Sequence, residues 1–149
     1  MTPNHPLVLL VEDNAADAAL MTELVEGLRP EVSVVHCPDG EKALAWLNAE
    51  SRSLHPSCPN LVIMDLRLPG RSGLEILAVL RLQPSTRCLP VVVLSTSDAP
   101  RDVDACYRAG ANAYLAKSND PDELGRKVTL AVQLFCHAAC CPSLQLGAS

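Results

Sequence analysis

Leu7-Val8-Leu9-Leu10-Val11-Glu12-Asp13 is an unbroken apolar run that stops on two acids, and the pattern returns twice further along the chain. Leu61-Val62-Ile63-Met64 stops at Asp65, and Ala113-Tyr114-Leu115-Ala116 stops at Lys117. Short apolar runs bounded by abrupt polarity changes read as strands covered on both faces, the habit of parallel sheets. Laid side by side, the three runs deliver three carboxylates and one ammonium to a single rim. Ionised carboxylates crowded together repel one another unless a cation neutralises them, so the set calls for a hard divalent metal.

Helical patterns fill the spaces between the runs. Asn14 is placed to cap a first helix and Asp17 to favour its positive end. Leu20, Met21, Leu24, Val25 and Leu28 give that helix one apolar stripe, and Arg29-Pro30 stops it. Val32-Ser33-Val34-Val35 reads as the second strand, and Asp39-Gly40 turns into a second helix with Ala43, Leu44 and Leu47 facing inward. Residues 50–59 lack periodicity and read as a surface loop. Pro69-Gly70-Arg71-Ser72-Gly73 leads into a third helix carrying Leu74, Ile76, Leu77 and Leu80. Val91-Val92-Val93-Leu94-Ser95 is the fourth strand, a fourth helix covers about 101–109, and Gly110 suits a left-handed cap. The fifth strand is 113–117. A last helix starts near Asp120-Pro121 and runs to about Phe135, and residues 137–149 are expected to fray or to dock on a partner.

Five strands, each followed by a helix, predict an α/β fold: a doubly wound, flavodoxin-like five-stranded parallel sheet in the order 2-1-3-4-5, with helices on both faces. Strands one and three flank the point where the winding reverses, and ligands bind there beyond the strand carboxyl ends. Glu12, Asp13 and Asp65 fall at that point, which gives the rim the chemistry of a phosphoryl-accepting site.

A chain of 149 residues suits one domain, and 48% hydrophobic against 19% charged residues argues for a globular one. Seventeen acidic against twelve basic residues give a net charge of −5 without a basic cluster, which argues against nucleic-acid binding. No apolar run approaches the ~20 residues a bilayer requires, and no basic segment precedes Leu7, so neither a membrane span nor a secretory signal is expected. A cytoplasmic domain follows. The seven cysteines, odd in number, are expected to stay reduced. Cys136-His137-x-x-Cys140-Cys141 fits no familiar zinc spacing and reads as small apolar filler.

Val11-Glu12-Asp13-Asn14, Met64-Asp65-Leu66-Arg67-Leu68-Pro69-Gly70, Leu94-Ser95-Thr96-Ser97 and Ala113-Tyr114-Leu115-Ala116-Lys117 together resemble the CheY-like receiver domains of two-component response regulators. The resemblance covers about 6–136, leaving 137–149 as a tail. It implies that Asp65 accepts a phosphoryl group from a sensor histidine kinase, and that Asp13, Asp65 and the backbone carbonyl of Arg67 bind Mg²⁺, with Glu12 acting mainly through a water. It also implies that Lys117 pairs with a phosphoryl oxygen, that Ser95 hydrogen-bonds the transferred group, and that Tyr114 turns inward as the switch. Self-phosphorylation and autodephosphorylation are then the only chemistry; no metabolite is turned over. The residues after the last helix are too few for an output domain, so output falls to protein contacts or phosphorelay.

Three positions depart from the family pattern. Ser118 stands where a proline with a cis bond often follows the lysine, Ser95 replaces the more frequent threonine, and Arg67 places a long cation at the pocket mouth, either tuning the site or pointing into solvent. A non-phosphorylated interaction scaffold of the same fold is the alternative, with Ser118 as its support. An aspartate-nucleophile phosphatase would want an acid at position 67, and a dinucleotide enzyme a glycine-rich turn after strand one. Pro90–Ser97, Asp102-Val103 and Cys106-Tyr107-Arg108-Ala109-Gly110-Ala111-Asn112 look like the stand-alone regulators associated with bacterial phytochromes. That resemblance implies a phytochrome-type sensor kinase as partner and a homodimer through helix four, strand five and helix five.

Overall fold

The computed structural model describes residues 5–48 and 58–140. Five parallel strands, β1 (Leu7–Val11), β2 (Ser33–Cys37), β3 (Leu61–Asp65), β4 (Val91–Ser95) and β5 (Ala113–Ala116), form one sheet in the order β2-β1-β3-β4-β5. The expected doubly wound topology is therefore observed. Between and after the strands run α1 (Ala15–Glu26), α2 (Gly40–Leu47), α3 (Gly73–Leu82), α4 (Pro100–Arg108) and α5 (Pro121–Val132).

The strands carry near-continuous apolar sequence because both faces are covered. Leu9, Val11, Val62, Met64, Val91 and Val93 pack on one face with Ala43 and Leu47 of α2, Ile76, Leu77 and Leu80 of α3, and Cys106 of α4. Val8, Leu10, Leu61, Ile63, Val92 and Leu94 pack on the other with Met21 and Val25 of α1 and Leu124, Val128 and Val132 of α5. Each fully buried Val, Leu, Ile or Met among them contributes about 1.5–3 kcal/mol.

Helix starts follow the capping residues. Asn14 Oδ1 accepts the Asp17 N–H, Asp39 accepts the Lys42 N–H, and Ser72 accepts the Glu75 N–H. Gly110 adopts φ +104, as its place after α4 predicts.

The edges differ from the sequence reading. β2 begins one residue later than Val32 and continues through His36 and Cys37. As an edge strand it is set by pairing with β1, from Leu7 opposite Ser33 to Val11 opposite Cys37, rather than by an apolar run. α1 ends at Glu26, ahead of Arg29-Pro30, where the Gly27 N–H returns to the Glu23 carbonyl. α5 ends at Val132, and a wider π-helical turn carries the chain from Gln133 to Ala138. The Ala139 N–H closes that turn on the Leu134 carbonyl at 2.7 Å, five residues back. Most of the expected 50–59 loop, and the tail beyond residue 140, lie outside the described residues. Among the described residues no helix is long and apolar enough to cross a membrane.

Candidate functional site

Strand register aligns the rim. β1 pairs with β3 up to Val11 opposite Met64, β3 with β4 up to Asp65 opposite Leu94, and β4 with β5 up to Ser95 opposite Ala116. Glu12, Asp65, Ser95 and Lys117 thus emerge at one end of the sheet. Gly73 closes the loop after β3 by donating its N–H to the Leu66 carbonyl at 2.8 Å.

Glu12, Asp13 and Asp65 each offer a carboxylate oxygen within 4.8 Å of the others. Lys117 Nζ lies 2.9 Å from Glu12 Oε2 and 3.1 Å from Asp65 Oδ2, although 105 and 52 residues separate the partners in sequence. Burial pulls the Lys117 pKa down, but hydrogen bonds to Glu12 and Asp65 and their negative charge outweigh it, so the ammonium is held above the ordinary lysine value. Burial raises the Glu12 carboxyl above its usual range, with the Asp65 charge adding and the Lys117 hydrogen bond opposing.

The remaining expected residues take distinct places. The Arg67 N–H donates to Asp65 Oδ1 at 3.1 Å, orienting the carboxylate, while Arg67 itself is exposed at the mouth. Ser95 is fully buried and its Oγ accepts the Ser97 N–H at 3.2 Å. Tyr114 stands apart from the carboxylates, half-buried, with its hydroxyl donating to the Ser97 carbonyl.

The expected departure at Ser118 has a local replacement. The Lys117–Ser118 bond is trans; among the described residues the cis bond is Arg29–Pro30. Ser118 Oγ donates to Glu123 Oε2 at 2.9 Å and accepts the Asp120 N–H at 3.0 Å. Lys127 Nζ, 3.4 Å from Glu123, donates to the Ala116 carbonyl just ahead of Lys117.

Two contacts escaped the sequence reading. Asp17, expected only to favour its helix end, places Oδ2 3.2 Å from Lys117 Nζ. The ring of His36 reaches the Glu12 backbone carbonyl at 2.8 Å. Both bonds join separate elements, so no local spacing announces them. Cys136, His137 and Cys140 form no metal-ligating group among the described residues, whereas the three acids do. An all-oxygen set of this kind fits a hard divalent cation.

A doubly wound parallel sheet with an acid cluster and an inward lysine at its switch point defines a receiver-type module. The chain belongs to the response regulator receiver domain family, whose profile matches residues 8–129. It is 36% identical over 122 residues to response regulator Rcp1 of Synechocystis sp., covering 82% of this chain and 83% of Rcp1. The crystal structure of the phosphorylated cyanobacterial phytochrome response regulator RcpA matches with a TM-score of 0.86 at 35% identity, over 93% of this chain and 99% of that one. The Mn(2+)-bound form of Rcp1 matches with a TM-score of 0.81 at 33% identity, again over 93% and 99%.

Proposed function

We propose that this response regulator accepts a phosphoryl group on Asp65 from the phosphohistidine of a sensor kinase. The observation that carries this reading is Lys117 Nζ lying 3.1 Å from Asp65 Oδ2 beside two further acids. A carboxylate oxygen of Asp65 attacks phosphorus, the P–N bond breaks, and the electron pair returns to the imidazole. Asp13, Asp65 and the Arg67 carbonyl would hold Mg²⁺, with Glu12 beside them, and the bound metal would supply positive charge against the oxygens of the transferring group. Lys117 donates to a phosphoryl oxygen, and Ser95 hydrogen-bonds the group after transfer. The shift of Ser95 draws on the Ser97 loop that holds the Tyr114 hydroxyl, so α4, β5 and α5 repack as a unit.

The receiver domain occupies about 6–136, with the π-helical turn continuing to Ala138. The protein acts in the cytoplasm as a phosphoprotein, catalyses only its own phosphorylation and dephosphorylation, and signals by protein contact or phosphorelay. Likeness to Rcp1 and RcpA supports a phytochrome-type kinase as partner. Tyr107, 49% exposed on α4, supports a homodimer across α4, β5 and α5. The Ser118–Glu123 bond, which braces the loop without a proline, counts against the scaffold reading.

The test is acyl-phosphate labelling with phosphoramidate and Mg²⁺, read by intact mass. Wild type gains one phosphoryl group and Asp65→Asn gains none; labelling of that variant at another residue contradicts the assignment. Labelling by a phytochrome kinase that differs between red and far-red light supports the partner, and equal labelling removes it.

A further inference from the structure

Lys117 is held by one carboxylate more than the family motifs supply. An ammonium has three N–H donors and no acceptor. Carboxylate oxygens surround it at 2.9 Å from Glu12, 3.1 Å from Asp65 and 3.2 Å from Asp17, enough to occupy all three. The Lys117 side chain is only 8% exposed, so solvent offers little substitute for a lost partner.

The three anchors are not equally releasable. The Glu12 side chain is 1% exposed, that of Asp65 13% and that of Asp17 37%. Separating a buried carboxylate from its cation leaves an uncompensated charge in a poor dielectric, whereas a carboxylate open to water is resolvated at little cost. Asp17 is also the longest of the three contacts. Its backbone is fixed independently, because Asn14 Oδ1 accepts the Asp17 N–H at 2.9 Å. The side chain can therefore swing into solvent without unwinding the first turn of α1.

We propose that Asp17 is a positioning residue for Lys117: it engages one ammonium proton while Asp65 is unmodified and yields that proton to an oxygen of the phosphoryl group. This rests on the phosphoacceptor reading of Asp65 and adds the contact that Lys117 gives up. The first turn of α1 thereby competes with the phosphoryl group for Lys117. Removing Asp17 takes that competitor away and leaves one ammonium proton of Lys117 free for the phosphoryl group.

The experiment measures phosphorylation rates with phosphoramidate at saturating Mg²⁺, by intact mass, for wild type, Asp17→Ala, Asp17→Asn and Asp17→Glu, the first also combined with Lys117→Ala. Asp17→Ala and Asp17→Asn are expected to react about twofold to fivefold faster, the range of a partly exposed ion pair. Asp17→Glu, which restores a carboxylate, returns towards the wild-type rate. The gain disappears in the Lys117→Ala background, because Lys117 is the residue through which Asp17 acts. A gain of equal size in that background means a general charge effect and overturns the proposal, as does an unchanged or slower Asp17→Ala. If wild type itself takes no phosphoryl group, the reading of Asp65 falls and this inference falls with it; a wild type that reacts normally confines any failure to Asp17.

Discussion

The phenolic hydroxyl of Tyr114 donates to the backbone carbonyl of Ser97 at 2.7 Å. Ser97 is itself a junction: its N–H donates to Ser95 Oγ at 3.2 Å and its hydroxyl to Asp102 Oδ2 at 2.5 Å. The backbone N–H of Tyr114 in turn donates to the Tyr107 hydroxyl at 3.1 Å. The edge strand β5 is thus tied to the rim through Ser95 and to α4 through both Asp102 and Tyr107. Moving Ser95 pulls on a loop that the Tyr114 side chain also holds.

Tyr114→Phe keeps the packed ring and removes only this tie. Stability is expected to fall by about 0.5–1.5 kcal/mol, the net worth of one hydrogen bond. Amide hydrogen exchange at residues 96–99 should quicken, because the loop loses an anchor. Equilibrium unfolding in urea checks the first effect. Unchanged exchange in the loop would show that the hydroxyl does not order it.

Gly73 sits where the β3–α3 loop crosses its own strand. A Cβ there would meet the Asp65 carbonyl oxygen at 2.5 Å and the Leu66 Cα at 2.9 Å, both backbone atoms that cannot step aside cheaply. Gly73→Ala should cost about 1–3 kcal/mol by overpacking. The displaced segment carries Asp65, so apparent Mg²⁺ affinity should weaken as well. A titration matching wild type would mean that the strand end absorbs the methyl without moving the carboxylate.

Lys117→Met leaves Glu12 buried without its cation. Breaking a buried pair from one side costs about 3–5 kcal/mol. The deficit should narrow in acid, because burial and the Asp65 charge raise the Glu12 pKa above its ordinary 4.5 and the variant removes the Lys117 contact that opposes them. Such a group gives its full stability below that ordinary value and loses it as pH rises through the raised one. Added Mg²⁺ should also recover part of the loss at neutral pH. Thermal unfolding at pH 7 and pH 4.5, with and without the metal, reads all three effects; a deficit constant with pH would place its origin elsewhere than Glu12.

Legibility in the sequence follows burial. β1, β3 and β4 are covered on both faces, so their apolar runs and the acids that end them stand out as text. The edge strand β2 shows burial that ranges from exposed to buried along its length, so its apolar residues do not mark its start at Ser33. Asp65 and Lys117 were legible as rim residues because register follows from strand ends. Their hydrogen-bond partners were less so. Asp17 meets Lys117 only because α1 and β5 converge in space. Arg81 is similar: from α3 its guanidinium donates to the carbonyls of Gly110, Thr86, Arg87 and Leu89 and to Asn112 Oδ1. Nothing at positions 78–84 foretells those acceptors, which belong to turns shaped by other elements.

The cysteines separate by burial, and their chemistry should follow. Burial pushes the Cys37 thiol up to about 11, with the Asp39 charge adding and Lys42 opposing, and burial likewise raises Cys106. At pH 8 Cys37 is therefore thiolate only on the order of 0.1% of the time, and the thiolate is the nucleophile. Cys88 and Cys140 are exposed. Pulsed alkylation at pH 8, mapped by mass, should therefore modify Cys88 and Cys140 first and reach Cys37 and Cys106 only through opening of the fold. The same shift fixes a sign in alkali. A raised folded-state pKa contributes stability in full below the ordinary thiol value of 9.0 and loses it as pH climbs through about 11. Wild type should lose more stability across that window than Cys37→Ala, whose core has no thiol to ionise. Rapid labelling of Cys37 in the native protein, or equal alkaline losses in the two proteins, would show that the β2 end is open to solvent rather than sealed beneath α2.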